Sequence, residues 1–416
     1  MNDLWYYAIG FVIIWTLALL FRKRLKIDIE GPILMRRTQR LRGFIDSVSN
    51  KSPRFWRLSM NIGLPIAIFF MGLILILLIF SLQTLIQAPS VGIILPGVDI
   101  PGSPIYVPLG YGLIALMTVL VIHEFGHGII SRTEGVRIKS IGVLLLAVLP
   151  GAFVEPDEED IKKSKRISKL RIYAAGSVFN LALAAVSLII VLFITVMTIS
   201  SISPGIPGIS IPGTNLKTEP VTLLNINGPI FPTFHSDGVA ISSVVPKSPA
   251  DGILQNGMVI QSINGISTSN FTNYAQLTNS TKIGEVLNFQ TTQGQYIIKA
   301  GVNPNNASRG YIGIRSQEHL VLNSNVAKTF GHQIPWFIYS LNDLFTWIFL
   351  LNFAVGTFNL LPMKPLDGGL IFEELLSYKL SENKVQKIVN PVSYALILII
   401  VVSIVYSLGR GISLLF

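Results

Sequence analysis

Six long stretches without Asp, Glu, Lys or Arg, or nearly so, constrain this chain more than any other feature of its sequence. A helix needs about 20 apolar residues to cross a lipid bilayer. Runs of about that length occur at 4–21, 58–88, 107–130, 172–199, 344–363 and 388–409, and the third alone contains ionisable side chains. The sequence therefore predicts a polytopic α-helical membrane protein with about six transmembrane helices.

The composition agrees, because 50% of the residues are hydrophobic and 13% are charged, which lies outside the range of soluble domains. The net charge of +10 comes from basic segments that flank the apolar runs, so we expect the lipid bilayer and no nucleic acid as a partner. The chain has no cysteine, which excludes disulfides, thiolate metal ligands and cysteine catalysis. Any bound metal must be held by His, Asp or Glu.

The distribution of Lys and Arg predicts the orientation in the membrane. The stretch 22–57 holds eleven basic residues against three acidic ones, and 132–171 holds nine basic residues, whereas 200–335 holds seven in 136 residues. Basic connections stay in the cytoplasm, so we expect the first two inside, the third outside and both termini outside. The first run is expected to be a retained anchor, since RKRLK follows it and no basic residue precedes it.

The third run carries the segment HEFGH, residues 123–127. On a helix, His123 and His127 are offset by about 40° and can share one Zn²⁺, with Glu124 beside them to act on a metal-bound water. The plain alternative is a chance pattern of solvated residues. Within a transmembrane helix that alternative is weak, because each ionisable group costs about 2.5 to 3.5 kcal/mol at the bilayer centre.

A catalytic zinc needs a third protein ligand and an open position. Thr133 stands where the longer HExxHxxGxxH pattern would place a histidine, and the three remaining histidines lie in the predicted outer segment. A carboxylate on the inner side is needed instead. Asp367 follows a helix broken by Pro362 and Pro365 and precedes two glycines, which give the backbone freedom to turn. Other candidates are Glu373, Glu374 and the acidic run 155–160, and LDGG alone would be an ordinary turn.

Together these motifs carry a family resemblance. HEFGH followed in a later span by NLLPMKPLDGG, residues 359–369, resembles the site-2 protease family of intramembrane zinc metalloproteases. The family pattern N-x-x-P-x-x-x-L-D-G is matched by Asn359, Pro362, Leu366, Asp367 and Gly368. A further family feature, Gly-x-x-x-Asn in the span after HEFGH, is matched by Gly176 and Asn180. Read without the resemblance, that segment would be a contact between helices.

The resemblance implies the roles of the residues that match. One Zn²⁺ per chain would be ligated by His123, His127 and Asp367, with Glu124 as the general base. Asn359 would orient the substrate backbone or stabilise the oxyanion. Asn180 would line the site or tie helices together, and Gly176, Pro362 and Gly368 would support it. The implied activity is hydrolysis of single-span membrane proteins, known as regulated intramembrane proteolysis.

A substrate helix must be unwound before its peptide bonds can be attacked. Residues 136–156 are apolar, too short for a span, and contain Leu149, Pro150 and Gly151 at an expected bend. They resemble the membrane-associated β-hairpin of the family, which is thought to receive substrate by strand addition. The alternative is a short buried loop that covers the site.

The outer segment shows short β-rich runs and turn signals over 237–302. It resembles an inserted, small β-rich PDZ domain through Ser248, Pro249, Ala250, Leu254, Gly257, Ile260, Ile263, Asn264 and Gly265. Such a domain would bind a peptide C-terminus or act as a structural cap. The expected organisation is 1–106, N-terminal helices and a basic cytoplasmic loop; 107–199, the first part of the catalytic core; 200–335, a linker and the PDZ-like domain; and 336–416, the second part of the core.

Two other classes of function stay open. A metal transporter would use the same intramembrane ligands, but it would need polar residues along several spans, and the runs 58–88 and 388–409 are almost wholly apolar. A non-proteolytic PDZ scaffold would not need an intact general base, yet Glu124 is present beside both histidines. An integral protein of a prokaryotic cell membrane, with its active site toward the cytoplasm, is the expected localisation.

Overall fold

The computed structural model describes residues 4–38, 40–84, 94–98, 100, 103, 105–147, 149–199, 205–206, 221–222, 231, 233–303 and 306–413. The chain divides into two compact units. The first comprises residues 1–189 and 343–416, and the second comprises residues 190–342. Most of the predicted linker at 200–232 lies outside the described residues.

The first unit is mainly helical. Its helices are α1 (Leu4–Leu20), α2 (Arg22–Leu25), α3 (Arg40–Lys51), α4 (Pro53–Thr84), α5 (Leu109–Thr133), α6 (Glu158–Lys163), α7 (Arg166–Ile194), α11 (Asp367–Leu376) and α12 (Glu382–Ser413), and α10 (Gln333–Phe358) enters it from the second unit. The prediction of a polytopic α-helical protein is confirmed at this level, because five helices among the described residues are long and apolar enough to cross a membrane.

The first of the six expected spans is a shorter helix than the others. Helix α1 has 17 residues, which falls below the length of the other five candidates, α4, α5, α7, α10 and α12. Large apolar side chains on the long helices are exposed, for example Phe69 at 63%, Ile189 at 66% and Val405 at 63%. Such faces suit contact with lipid, where an apolar surface carries no penalty.

A four-stranded antiparallel sheet lies in the first unit, in the order β1 (Asp28–Glu30), β2 (Ile33–Arg37), β3 (Ile138–Leu146) and β4 (Leu149–Pro156). The predicted hairpin is present as β3 and β4, but its bend is not at residues 149–151. Leu146 pairs with Leu149, so the turn comes earlier, and Ala147 adopts a left-handed conformation with φ of 56°. Strands β1 and β2 extend the hairpin on one side and leave β4 as an edge.

A buried apolar cluster joins the sheet to the helices around HEFGH. It includes Ile45 of α3, Ile130 of α5, Ile138 of β3 and Ile172 of α7, each at most 2% exposed. Trp15 of α1 also donates a hydrogen bond to the carbonyl oxygen of Ala147 at 2.9 Å. Side chains from three helices and the hairpin therefore fix the position of β4 against α5.

The second unit contains the predicted β-rich domain. Its main sheet has the order β11 (Gly294–Lys299), β10 (Val286–Thr291), β8 (Val259–Ile263), β7 (Phe234–Val244) and β14 (Ile314–Leu322), and β9 (Ile266–Ser267) pairs with β8. One helix of ten residues, α8 (Phe271–Ser280), accompanies the sheet. The remaining elements are a π-helical turn (Thr195–Ile199), β5 (Gly205–Ile206), β6 (Val221–Thr222), β12 (Gly301–Asn303), β13 (Asn306–Tyr311) and α9 (Ser324–Phe330). The sheet thus extends beyond the expected 237–302, because β14 pairs with β7 over its whole length.

Candidate metal centre

Helix α5 brings the two histidines of HEFGH together. The apolar segment around them is helical without interruption from Leu109 to Thr133, so the four-residue spacing places both imidazoles on one face. The Nε2 atoms of His123 and His127 lie 3.3 Å apart. Both side chains are largely buried, with exposures of 14% and 15%.

Asp367 lies far from HEFGH in the sequence but close to both histidines in the structure. Helix α10 ends at Phe358, the chain turns through 359–366, and α11 begins with Asp367. One carboxylate oxygen of Asp367 lies 3.6 Å from His123 Nε2, and the other lies 3.3 Å from His127 Nε2. Among the described residues, these three form the group of His, Asp and Glu side chains that could hold a metal ion.

The distances match a tetrahedral zinc site. Ligand atoms about 2.0 to 2.1 Å from a tetrahedral Zn²⁺ are about 3.3 Å from one another. The two Nε2 atoms are 3.3 Å apart, and they lie 3.6 Å and 3.3 Å from the two different oxygens of the Asp367 carboxylate. Two imidazole nitrogens and one carboxylate are a donor set that zinc accepts, with a fourth position left for water. The residues therefore fit a catalytic zinc.

Helix α7 lines the group with a residue that has no side chain. A Cβ atom built on Gly176 would lie 2.5 Å from His127 Nε2 and 2.6 Å from His123 Nε2. No real Cβ atom occupies such positions, so any larger residue would displace the imidazoles. Gly176 therefore leaves the space next to the ligand atoms open, and this gives a physical reason for the glycine in the Gly-x-x-x-Asn feature.

Neighbouring groups hold the three side chains in place. His127 Nδ1 donates to the carbonyl oxygen of Ile172 at 2.8 Å, and Ser177 Oγ donates to a carboxylate oxygen of Asp367 at 2.9 Å. The amide of Asn180 lies 3.3 Å from His123 Nδ1. Each member of the group thus has one partner on α7, an arrangement that orients metal ligands in proteins.

Glu124 links the group to the hairpin. Its Oε2 atom accepts a hydrogen bond of 2.7 Å from the backbone N–H of Val154 in β4. Because β4 is an edge strand, this N–H points away from β3. The free edge of β4 therefore faces the carboxylate that the sequence singled out as the base.

The other predicted residues differ in what they contact. The backbone N–H of Gly368 donates to the carbonyl oxygen of Asn359 at 2.8 Å, and Gly368 packs so closely on residues 360–361 that a Cβ atom has no room. Pro362 is buried in the turn before α11. The Asn359 side chain is half-buried and forms no hydrogen bond to another described residue.

The alternative carboxylates have other partners. Glu373 pairs with Lys364 at 2.7 Å, and Glu374 pairs with Lys169 at 3.8 Å. In the acidic run, Arg137 lies 2.7 Å from Asp160 and lowers the pKa of that carboxyl group to about 2. Ion pairs therefore account for Glu373, Glu374 and Asp160.

Several groups at the centre were missed by sequence reasoning. Ser177 stands between the two marked residues of the Gly-x-x-x-Asn feature, and that position was the available signal for it. The carbonyl of Ile172 and the N–H of Val154 are backbone groups, which every residue carries. No sequence pattern could have distinguished them.

Two known proteins are similar in sequence to this chain. The chain is 27% identical over 269 residues to an uncharacterized protein of Methanocaldococcus jannaschii, covering 64% of this chain and 58% of that protein. It is 26% identical over 158 residues to a membrane-bound transcription factor site-2 protease homolog of Arabidopsis thaliana, covering 38% of this chain and 25% of that protein. The chain thus spans less than two thirds of the length of both relatives.

Two solved PDZ domains are similar to a smaller part of the chain. The PDZ domain of an SdrC-like protein from Listeria innocua is 28% identical, with a TM-score of 0.19, and covers 20% of this chain and 97% of that domain. Its counterpart from Listeria monocytogenes is 26% identical, with a TM-score of 0.18, and covers 19% of this chain and 87% of that domain.

The family comparison covers most of the molecule. Peptidase family M50 matches residues 111–400 of the 416-residue chain, a range that includes HEFGH, Gly176, Asn180 and Asp367. The chain belongs to peptidase family M50.

Proposed function

We propose that this chain is an intramembrane zinc endopeptidase that hydrolyses peptide bonds of transmembrane proteins. The observation that carries the proposal is the group formed by His123, His127 and Asp367, in which the two Nε2 atoms lie 3.3 Å apart and each lies within 3.6 Å of an oxygen of the Asp367 carboxylate. Two of these ligands lie within a helix apolar enough to span a membrane. A zinc ion held there would supply Lewis acidity and lower the pKa of a bound water to about 7.

The protein's own groups would handle protons and position the substrate. Glu124 follows His123 directly in the chain and would take a proton from the attacking water and return it to the leaving amine. Its hydrogen bond to Val154 keeps the carboxylate at the edge of β4. Asn359 would bind the substrate backbone or the developing oxyanion, since its side chain is free of other partners among the described residues.

The edge of β4 gives the substrate a place to bind in extended form. Ile141 of β3 pairs with Val154, and the Ile141 carbonyl accepts from Thr38 N–H on the side away from β4. Backbone groups alternate along an antiparallel pair, so Ala152 and Val154 direct their N–H groups away from β3. The N–H of Val154 donates to Glu124, and the N–H of Ala152 faces the free edge. An unwound segment of a single-span substrate would add there as a further strand.

The first test is zinc content together with cleavage of a single-span substrate, for wild type and Glu124→Gln. Glutamine keeps a carbonyl oxygen that can accept from Val154 N–H, but it cannot carry the proton. We expect both proteins to hold about one zinc, and the variant to lose about 10²- to 10⁴-fold in rate, the usual contribution of a general base. A chelator should abolish wild-type cleavage.

Two results would contradict the proposal. Cleavage by Glu124→Gln at the wild-type rate would remove the base from the mechanism. Zinc binding without cleavage of any of several substrates would favour a metal transporter or a PDZ scaffold. Zinc uptake into proteoliposomes containing a zinc-sensitive dye would then separate these two, because a scaffold moves no metal.

We further propose that the second unit binds an extended peptide through its C-terminus. Strand β14 is an edge of the sheet, and Tyr274 of α8 accepts a hydrogen bond of 2.8 Å from Ser316 of β14, so helix and edge lie side by side. Just before β14, the carbonyls of Ile312 and Gly313 accept hydrogen bonds, while their N–H groups donate to no other described residue. Such N–H groups can bind a carboxylate.

Fluorescence anisotropy with peptides can test this binding mode. A peptide with a free C-terminus should bind the full-length protein, and the same peptide with an amidated C-terminus should bind at least about tenfold more weakly, because charge-assisted hydrogen bonds are the strong ones. Equal affinity for the two peptides would contradict a carboxylate site.

A further inference from the structure

Asn180 contacts the metal group, but its own hydrogen bonding is incomplete. The residue lies on α7 and is completely buried. Its amide nitrogen is placed 3.3 Å from His123 Nδ1, while its amide oxygen is buried without any hydrogen-bond partner. Leaving a buried oxygen without a partner is unfavourable, so this arrangement calls for an explanation.

His127 shows what a ligand of this group requires. Its Nδ1 atom lies 2.8 Å from the carbonyl oxygen of Ile172, which can only accept. The proton of the neutral imidazole is therefore on Nδ1, and Nε2 presents its lone pair toward His123 and Asp367. This is the tautomer that a metal-binding Nε2 atom needs.

The same requirement applies to His123. Its Nε2 atom is the one that faces His127 and Asp367, so its Nδ1 must carry the proton and needs an acceptor. The amide oxygen and nitrogen of asparagine occupy nearly equivalent positions, and their assignment follows from the hydrogen-bond network. Exchanging the two atoms of Asn180 places the oxygen on His123 Nδ1–H and gives it the partner that it lacks.

We propose that Asn180 is a positioning residue that accepts a hydrogen bond from His123 Nδ1–H and so fixes His123 in its metal-binding tautomer. The inference deepens the proposed function, since it concerns the same zinc site. The backbone of α10 holds the side chain in place: a Cβ atom on Gly356 would lie 3.1 Å from Asn180 Cβ. Asn180 therefore has little freedom to turn away from His123.

The test compares three variants at position 180. Asn180→Leu and Asn180→Ala remove the acceptor, the first with the same branching at Cγ and the second without added bulk. Asn180→Asp keeps an oxygen at the same place. We expect Leu and Ala to weaken zinc binding by about 10- to 100-fold, the usual effect of losing such a partner, and Asp to bind zinc within a few-fold of wild type.

The readouts are the zinc dissociation constant, from competition with a chelator, and the visible spectrum of the Co²⁺-loaded protein, which reports coordination geometry. Asn352→Leu is the matched control. Asn352 is also a completely buried asparagine with an amide oxygen that lacks a partner, but its amide nitrogen donates to Thr118 Oγ1 of α5 and to the carbonyl oxygen of Ile348 of α10. Its substitution should leave zinc affinity and the Co²⁺ spectrum unchanged.

Three results would overturn the inference: wild-type zinc affinity and spectrum in both Leu and Ala, an equal loss of affinity in Asp and Leu, or an equal loss in Asn352→Leu. Absence of zinc binding by the wild type would overturn it as well. The proposed protease function fails separately, when the wild type binds zinc with a normal spectrum and cleaves no substrate.

Discussion

At the scale of single residues, the metal group depends on an absent side chain as much as on those present. Helix α7 supplies Ser177 and Asn180 as partners of the ligands, but at position 176, directly before Ser177, there is no room for a side chain. A Cβ atom on Gly176 would occupy the space beside His123 Nε2 and His127 Nε2. Small residues on membrane helices are often explained by helix packing, and here the neighbouring atoms are the ligands themselves.

We expect Gly176→Ala to reduce zinc affinity by about tenfold or more, because a metal site must be held within about 0.5 Å of its working geometry. The added methyl group would push both imidazoles away from Asp367. Zinc content after dialysis against a weak chelator, and cleavage of a single-span substrate, should fall together.

The control is Gly72→Ala on α4, another membrane helix. A Cβ atom on Gly72 would meet nothing within 4 Å, so zinc content and cleavage should remain at the wild-type level. Equal losses in the two variants would show that alanine harms this protein through helix packing or insertion, and the steric explanation for Gly176 would be wrong.

At the scale of elements, the edge of β4 is the feature most directly tied to the proposed reaction. We expect Ala152→Pro to lower cleavage by at least about tenfold while zinc content stays at the wild-type level, because proline removes an N–H from the free edge and breaks no bond to β3. Steady-state kinetics with a single-span substrate and zinc analysis on the same preparation check this.

Ala152→Val is the matched variant, since valine changes the side chain and keeps the N–H. Its cleavage rate should stay near that of the wild type. A proline variant that cleaves normally would contradict substrate binding at this edge, and a proline variant that loses zinc would show damage to the hairpin and to α5 behind it.

Some of these elements can be predicted from the sequence, and others cannot. The helical offset of four residues is a fixed property of the backbone, so HEFGH predicted the contact between the two imidazoles. Asp367 could be found because glycines and prolines mark a break in a long apolar run. Strands β1 and β2 are three and five residues long and lack a clear alternation, and the pairing of β2 with β3 joins residues more than 100 positions apart in the chain.

The position of the turn shows a different limit. Leu149, Pro150 and Gly151 carry the residues that favour a bend, yet they lie in β4, and Ala147 takes the left-handed conformation. Alanine has no preference for that conformation, so pairing between β3 and β4 overrides local preference. The length of the first helix, in contrast, follows the sequence closely. The charge-free run 4–21 has 18 residues, and α1 has 17.

At the scale of the whole molecule, the distribution of basic residues predicts which side of the membrane each part faces. From the excess of Lys and Arg in 22–57 and 132–171 we expect these connections in the cytoplasm, together with the ends of the spans that carry the metal group. By the same rule, we expect the β-rich region to be extracytoplasmic. A substrate would then be cut near the cytoplasmic face.

The chain offers a direct test, because it contains no cysteine and any thiol introduced is the single target for a maleimide. Ser47 on α3 and Ser269 before α8 are both exposed, and serine to cysteine is a small change at either site. We expect a membrane-impermeant maleimide to label Ser269→Cys in intact cells and to label Ser47→Cys only after permeabilisation. The reverse pattern would invert the protein in the membrane, so that cleavage would release the outer fragment of a substrate instead of the cytoplasmic one. Labelling of both sites in intact cells would show that an even number of spans separates Ser47 from Ser269, and the predicted crossing of the membrane by all three intervening helices, α4, α5 and α7, would be wrong.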